Sequence, residues 1–346
     1  MKFIFLTILT FVFSFLGMLL IFKPASNPLP ADTSKNVKTS EIPTRQAQVN
    51  AVSKKWNVQS VDTMKQSRDQ ARQFSTDINL QKTIDPQVSA IAGMGATHIG
   101  IGTPYDPEFL PVLKLWVQSA RKHNLKVFFR GNLSGWEKWF GYQKIGRAEH
   151  IRKTEEFIEK NPGLFEDGDI FSSCPECENG EKLDRSNKAQ IDDYKAFLIK
   201  EYNITKKSFK KINKQVASNY YSMNGDMAFL MMDKKTTAAF DGIVVIDHYV
   251  KDTTRLEKDI KELARKSGGK IVLGEFGAPI PNIHGRMSDE EQKRWIEDAL
   301  NKVSKIPELY GINYWVNIGG STAIFRDNLQ PKPVVSVITA FFSGNK

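Results

Sequence analysis

Eight short apolar runs, each followed by a polar or amphipathic stretch, constrain what this chain can fold into more than any other feature. They fall at 74–80, 97–102, 126–130, 169–173, 215–219, 242–247, 270–275 and 311–315, after a lead helix expected over 61–72. Helix starts are legible between them. Asp106-Pro107 precedes a helical pattern over 109–123, and Ser288-Asp289-Glu290-Glu291 is a capping box ahead of 295–303. Alternating strands and helices imply parallel pairing, and uncharged runs such as Ile243-Val244-Val245-Ile246 suit strands covered on both faces. Eight such units favour closure. The expected fold is therefore α/β, a (β/α)8 TIM barrel, with an open sheet of fewer strands as the rival.

The first fifty residues stand outside that pattern. Residues 3–22 carry no charge and are flanked by Lys2 and by Lys23-Pro24. A twenty-residue helix spans about 30 Å, the thickness of a bilayer core, so 1–23 reads as a transmembrane helix serving as anchor or uncleaved signal. A cleaved secretory signal is the competing reading. Residues 24–50, rich in Pro, Ser, Thr, Ala and Asn, read as a flexible linker. The remainder, 51–346, is comfortable for a barrel, for which about 250 residues is typical. Either reading of the first segment carries this domain across a membrane, tethered outside the cytoplasm or secreted after cleavage.

Charge and cysteine content narrow the function. Lys and Arg number 49 against 39 Asp and Glu, a net +10, and the excess is spread along the chain instead of forming a basic stripe. That argues against a nucleic-acid partner. Two cysteines cannot build a four-cysteine zinc site or a disulfide-stapled scaffold. No P-loop, kinase set or Gly-x-Ser-x-Gly elbow occurs, so no cofactor and no metal are expected.

Chemistry in a barrel of this kind sits where the strands end. The third run ends in Arg130-Gly131-Asn132, with Trp136 close behind. The fourth leads into Cys174-Pro175-Glu176-Cys177-Glu178, the fifth ends at Asn219, and the sixth leads into Asp247-His248-Tyr249. The seventh leads into Gly274-Glu275-Phe276-Gly277, and the eighth ends at Trp315. Carboxylates after runs four and seven are the sharpest feature, because those strands face each other across the mouth of a closed barrel. Glycoside hydrolysis needs two carboxyl groups across one bond, one protonated and one ionised.

In this order of elements and strand-end residues, the stretch from about 77 to 342 resembles clan A glycoside hydrolases, the cellulase-like (β/α)8 superfamily. The resemblance implies Glu275 as nucleophile and Glu176 as general acid/base, with Glu178 the alternative acid/base. The family usually has Asn before the acid/base Glu; here Pro175 precedes Glu176 and Cys177 precedes Glu178. It also places a Tyr after strand six, matched by Tyr249, whose hydroxyl would hold the nucleophile ionised. His248 either orients the acid/base residue or is an ordinary loop histidine. Trp315 resembles the clan's aromatic sugar platform, and Arg130, Asn132, Trp136 and Asn219 are candidate substrate contacts, with Arg130 equally suited to pair with a carboxylate and hold it ionised. The implied activity is that of a retaining glycosidase on a β-linked glycan, a polysaccharide or oligosaccharide, with a monomeric catalytic domain.

Cys174 and Cys177 admit three states: a local disulfide shaping the loop around Glu176, two reduced thiols, or half of a metal site. Two rival functions stay open as well. One is a non-catalytic glycan-binding or cell-wall protein on a degenerate barrel, and the other is a membrane-bound redox protein using the two cysteines.

Overall fold

Eight parallel strands, joined in sequence order, curl into a TIM-like α/β barrel. The computed structural model describes residues 56–344. The expected membrane segment at 1–23, the linker at 24–50 and the start of the domain at 51 lie outside the described residues. Among the described residues no helix is long and apolar enough to cross a membrane.

The strands are β1 (Val58–Asp62), β2 (His98–Ile101), β3 (Lys126–Phe129), β4 (Ile170–Phe171), β5 (Ser222–Asn224), β6 (Ile243–Asp247), β7 (Lys270–Phe276) and β8 (Leu309–Tyr314). Their spatial order is β4-β3-β2-β1-β8-β7-β6-β5. The ring is completed beside β4 by a parallel bridge from Ile170 to Ala217. There the Phe171 N–H donates to the Ala217 carbonyl at 2.8 Å and the Ala217 N–H to the Asp169 carbonyl at 3.0 Å.

Two expected elements are misplaced at the start of the chain. The first strand is Val58–Asp62, where a lead helix was expected to begin at 61, and the run 74–80 is helical. The reason is local. Asp77 caps a helix by accepting from the Asn79 and Leu80 N–H groups, and Ile78 faces solvent at 60% exposure while Phe74 is buried, a helical burial pattern with no period of two. Conversely, Gln59 and Ser60 hide the strand character of β1. Gln59 is buried because its side chain accepts from the Trp56 N–H and donates to the Gly95 and Phe342 carbonyls. The fifth run also divides. Its residue Ala217 pairs with β4, whereas pairing with β6 begins at Ser222. The remaining six strands lie where the sequence places them, and the capping box at Ser288 and Glu291 opens helix Asp289–Val303.

Apolar burial occurs in two layers. Val58, Phe128, Ile170, Tyr220, Val245 and Val272 form a cluster contributed by strands around the ring, and a far larger cluster holds strands to helices. Period-two alternation explains the separation, since Val127 and Phe129 belong to the outer cluster and Phe128 to the inner one. Towards the strand ends the interior turns polar: Asp62, Arg130, Asp247 and Asn313 are all buried.

Candidate active site

Arg130, directly after β3, organises that polar interior and has no exposed surface. One terminal nitrogen, Nη2, donates to Glu275 Oε1 at 2.7 Å and reaches Asp247 Oδ2 at 3.5 Å. Its Nε lies 3.1 Å from Asp62 Oδ2, and Nη1 donates to the Gly274 carbonyl. Burial works against the guanidinium charge, but Asp247, Glu275 and Asp62 more than offset it and raise its pKa. Asn313 in β8 ties the same layer together, its amide donating to Asp62 and to the Gly274 carbonyl, each at 2.9 Å.

Glu275 reaches this layer through a bulge. Ile246 pairs with Leu273 but Asp247 pairs with Glu275, so Gly274 is one residue more than β6 supplies. The extra residue turns Glu275 inward, beside Arg130. Gly274 has to be glycine, because a Cβ there would stand under 3.0 Å from Asp247 Oδ1. Tyr249, in the loop after β6, donates its hydroxyl to Glu275 Oε2 at 3.0 Å.

Glu176 comes from the opposite side, in the loop after β4. Its backbone is left-handed, with φ 46° and ψ 45°, and its N–H donates to the Ser222 carbonyl at 2.9 Å. Asn179 donates its side-chain amide to Glu176 Oε2 at 3.1 Å. Carboxylate oxygens of Glu176, Asp247 and Glu275 all lie within 4.8 Å of one another.

Three carboxyl groups and one guanidinium packed this closely and largely out of solvent cannot all be charged without cost. Burial drives the Asp247 pKa well above the ordinary carboxylate range, with Arg130 opposing and Glu275 and Glu176 adding to the rise. Burial likewise raises Glu275 to about 8, against the pull of Arg130 and Tyr249. Glu176 is raised by burial and then by Glu178, with Arg130 opposing. The cluster therefore holds protons near neutrality, with Asp247 the most deeply buried of the three. Such a set can offer one acid and one base side by side.

Not every residue singled out by sequence joins this set. Glu178 is buried beside it but turned away, accepting from the Asn224 backbone and side chain at 2.8 and 3.0 Å. His248 is held by Asp259 at 3.0 Å from its Nε2, and burial lowers its pKa. Asn132 is wholly buried and spends its side chain on Cys174, His150 and the Leu133 N–H. Trp136 is buried too, stacked on Phe197 with its indole N–H on the Cys177 carbonyl at 2.9 Å. Asn219 donates to the Phe240 carbonyl at 2.8 Å. Trp315, half-buried, follows β8 and is joined to Val316 by a cis peptide bond.

Asp62, Glu137, Asn179, Asn313 and Asp247 carry no site role in the sequence reading. A signal existed for two of them. Asp62 and Asn313 stand beside strand glycines, and a Cβ on Gly100 would crowd both side chains at 3.0 Å. Glu137 adds a further carboxyl near Glu176, raised by burial to about 7. It lines a cleft of about 680 Å³ with Lys138, Asn179 and Lys182.

Among solved structures the chain is similar to a β-glucuronidase from Bacteroides uniformis, covalently bound to cyclophellitol-6-carboxylate aziridine. The TM-score is 0.54 at 14% identity, over 76% of this chain and 33% of that one, so this chain spans about a third of that protein's length. It is similar to a GH5-4 broad-specificity endoglucanase from Clostridium longisporum, with a TM-score of 0.53 at 14% identity over 75% and 86% of the two chains. A GH5_18 protein from Streptomyces cattleya, in complex with Manβ1-4GlcNAc, gives a TM-score of 0.56 at 11% identity over 81% and 78%. No family model matches the sequence, and no curated protein matches it. At these identities the likeness is one of architecture, and the shared architecture is a (β/α)8 barrel.

Proposed function

We propose that this chain is a retaining glycoside hydrolase acting on a β-linked glycan, with Glu275 as nucleophile and Glu176 as general acid/base. The supporting observation is the approach of the two carboxyl groups, whose oxygens lie within 4.8 Å. Retaining enzymes keep their carboxyl groups about 5 to 5.5 Å apart, whereas inverting ones leave roughly 6.5 to 9.5 Å for a water. The glycoside-hydrolase neighbours support the same reaction class.

In this reading Glu275 attacks the anomeric carbon as Glu176 gives its proton to the leaving oxygen. Glu176, now ionised, takes a proton from the water that opens the glycosyl ester. Against the burial that raises Glu275 to about 8, Arg130 and Tyr249 favour its carboxylate, one by charge and one by a hydrogen bond, so the nucleophile ionises as pH rises towards that value. Burial that raises Glu176 keeps it protonated for the first step. Trp315 supplies the sugar platform. The hydrophobic stretch at 3–22 and the Cys174–Cys177 disulfide both favour a membrane-tethered domain outside the cytoplasm, where disulfides persist.

The test is a cyclophellitol-type covalent probe followed by peptide mass spectrometry. The expected adduct is on Glu275, and Glu275→Ala should lose at least ~10³-fold in turnover of an aryl β-glycoside while keeping its fold. Glycan binding with no hydrolysis and no adduct would favour a non-catalytic glycan-binding protein instead.

A further inference from the structure

We infer that the Cys174–Cys177 disulfide is a positioning device for the general acid/base, holding Glu176 at proton-transfer range instead of merely stapling a surface loop. This rests on the glycosidase reading above.

The disulfide closes over two residues, Pro175 and Glu176, and both sulfurs are buried. Glu176 therefore sits inside a tight disulfide-closed loop. Its left-handed backbone is one that a non-glycine residue adopts only when its surroundings enforce it. Here both flanks are fixed. On one side the Cys174 Sγ accepts from the Asn132 amide at 3.4 Å. Asn132 in turn accepts from His150 Nε2 at 2.8 Å, and His150 Nδ1 stands 2.9 Å from Glu201 Oε1. On the other side the Cys177 carbonyl accepts from the Trp136 indole at 2.9 Å. Gly180 presses on the same indole so closely that a Cβ would stand under 3.0 Å from its nitrogen. This explains why Asn132 and Trp136 carry polar groups yet show none to the cleft. They grip the ring that carries Glu176.

A second consequence follows for the missing Asn before the acid/base residue. Cys174 and Pro175 occupy the approach to Glu176, and Asn179, three residues beyond, makes the contact to its carboxylate.

The experiment uses the full chain with Cys174→Ser and Cys177→Ala combined, the serine keeping an acceptor for Asn132. The readout is kcat/KM on two aryl β-glycosides, one with a dinitrophenyl leaving group that needs no acid and one with a poor leaving group that does. Loss of positioning costs on the order of 10²-fold on the poor leaving group. The dinitrophenyl substrate should change less than about threefold, a split that lost stability alone cannot produce. Equal losses on both substrates, or no loss on either, would overturn the proposal. Should the variant not fold, wild-type enzyme reduced with a phosphine, its thiols counted by alkylation, is compared in the same way. If Glu275→Ala and wild type are equally inactive, the glycosidase reading fails by itself. Amide hydrogen exchange over 174–180 then decides whether the ring holds the Glu176 loop in place, whatever that carboxyl does. A rise of at least tenfold in the double variant, with β7 and β8 unchanged, supports it, and an unchanged loop rejects it.

Discussion

At the scale of single residues, the carboxyl layer couples protonation to folding. Burial pushes the Glu275 carboxyl up to about 8 in the folded protein, against the pull of Arg130, while an unfolded glutamate lies near ~4.3. A carboxyl group with a raised folded pKa prefers to be neutral in the native state. Its contribution is complete below the unfolded value and is lost as pH climbs through the folded one. Denaturant stability of the wild type should therefore fall relative to Glu275→Gln between about pH 5 and pH 8, by up to ~1.4 kcal/mol per unit. Parallel stability curves for the two proteins would refute this. Glu275 and Tyr249 were readable in the sequence because each follows a buried run directly, and strand ends are where side chains meet the mouth. Asp247 was not readable as a third carboxyl, since its closeness to Glu275 depends on a bulge that no residue pattern announces. Asn132 and Trp136 show the opposite failure. Polar and aromatic residues at a strand end look alike whether they face a ligand or hold a neighbouring loop.

At the scale of elements, glycine marks where backbone and side chain approach most closely. Gly274→Ala places a methyl against the Asp247 carboxyl, and overpacking of this kind costs roughly 1–3 kcal/mol. Urea unfolding should show that loss, together with a fall in turnover if the bulge no longer delivers Glu275; a neutral substitution would mean that β6 and β7 have room to spread. Six of the eight strands were legible because each is short with an apolar interior covered on both faces. β1 was not, because its residues Gln59, Ser60 and Asp62 bury polar groups that are satisfied only by distant partners. Sequence periodicity measures apolar content, and a strand that buries hydrogen-bonded side chains lies outside what it can detect.

At the scale of the whole molecule, the ring has one thin place. β1, β7 and β8 pair along several residues, whereas β4 is two residues long and meets the fifth run through a single bridge. Breathing should begin there: the amides of Phe171 and Ala217 should exchange with solvent sooner than those of Val272 or Ile312, and equal protection would contradict it. The loop carrying Glu176 leaves from β4, beside this seam, while Glu275 lies within β7, a strand paired on both edges. If the barrel opens along its seam, the two carboxyl groups part company before the rest of the fold yields. Heat or mild denaturant would then silence the cleft while most of the secondary structure still stands, so inactivation would report the fit of one hoop and not the melting of the molecule.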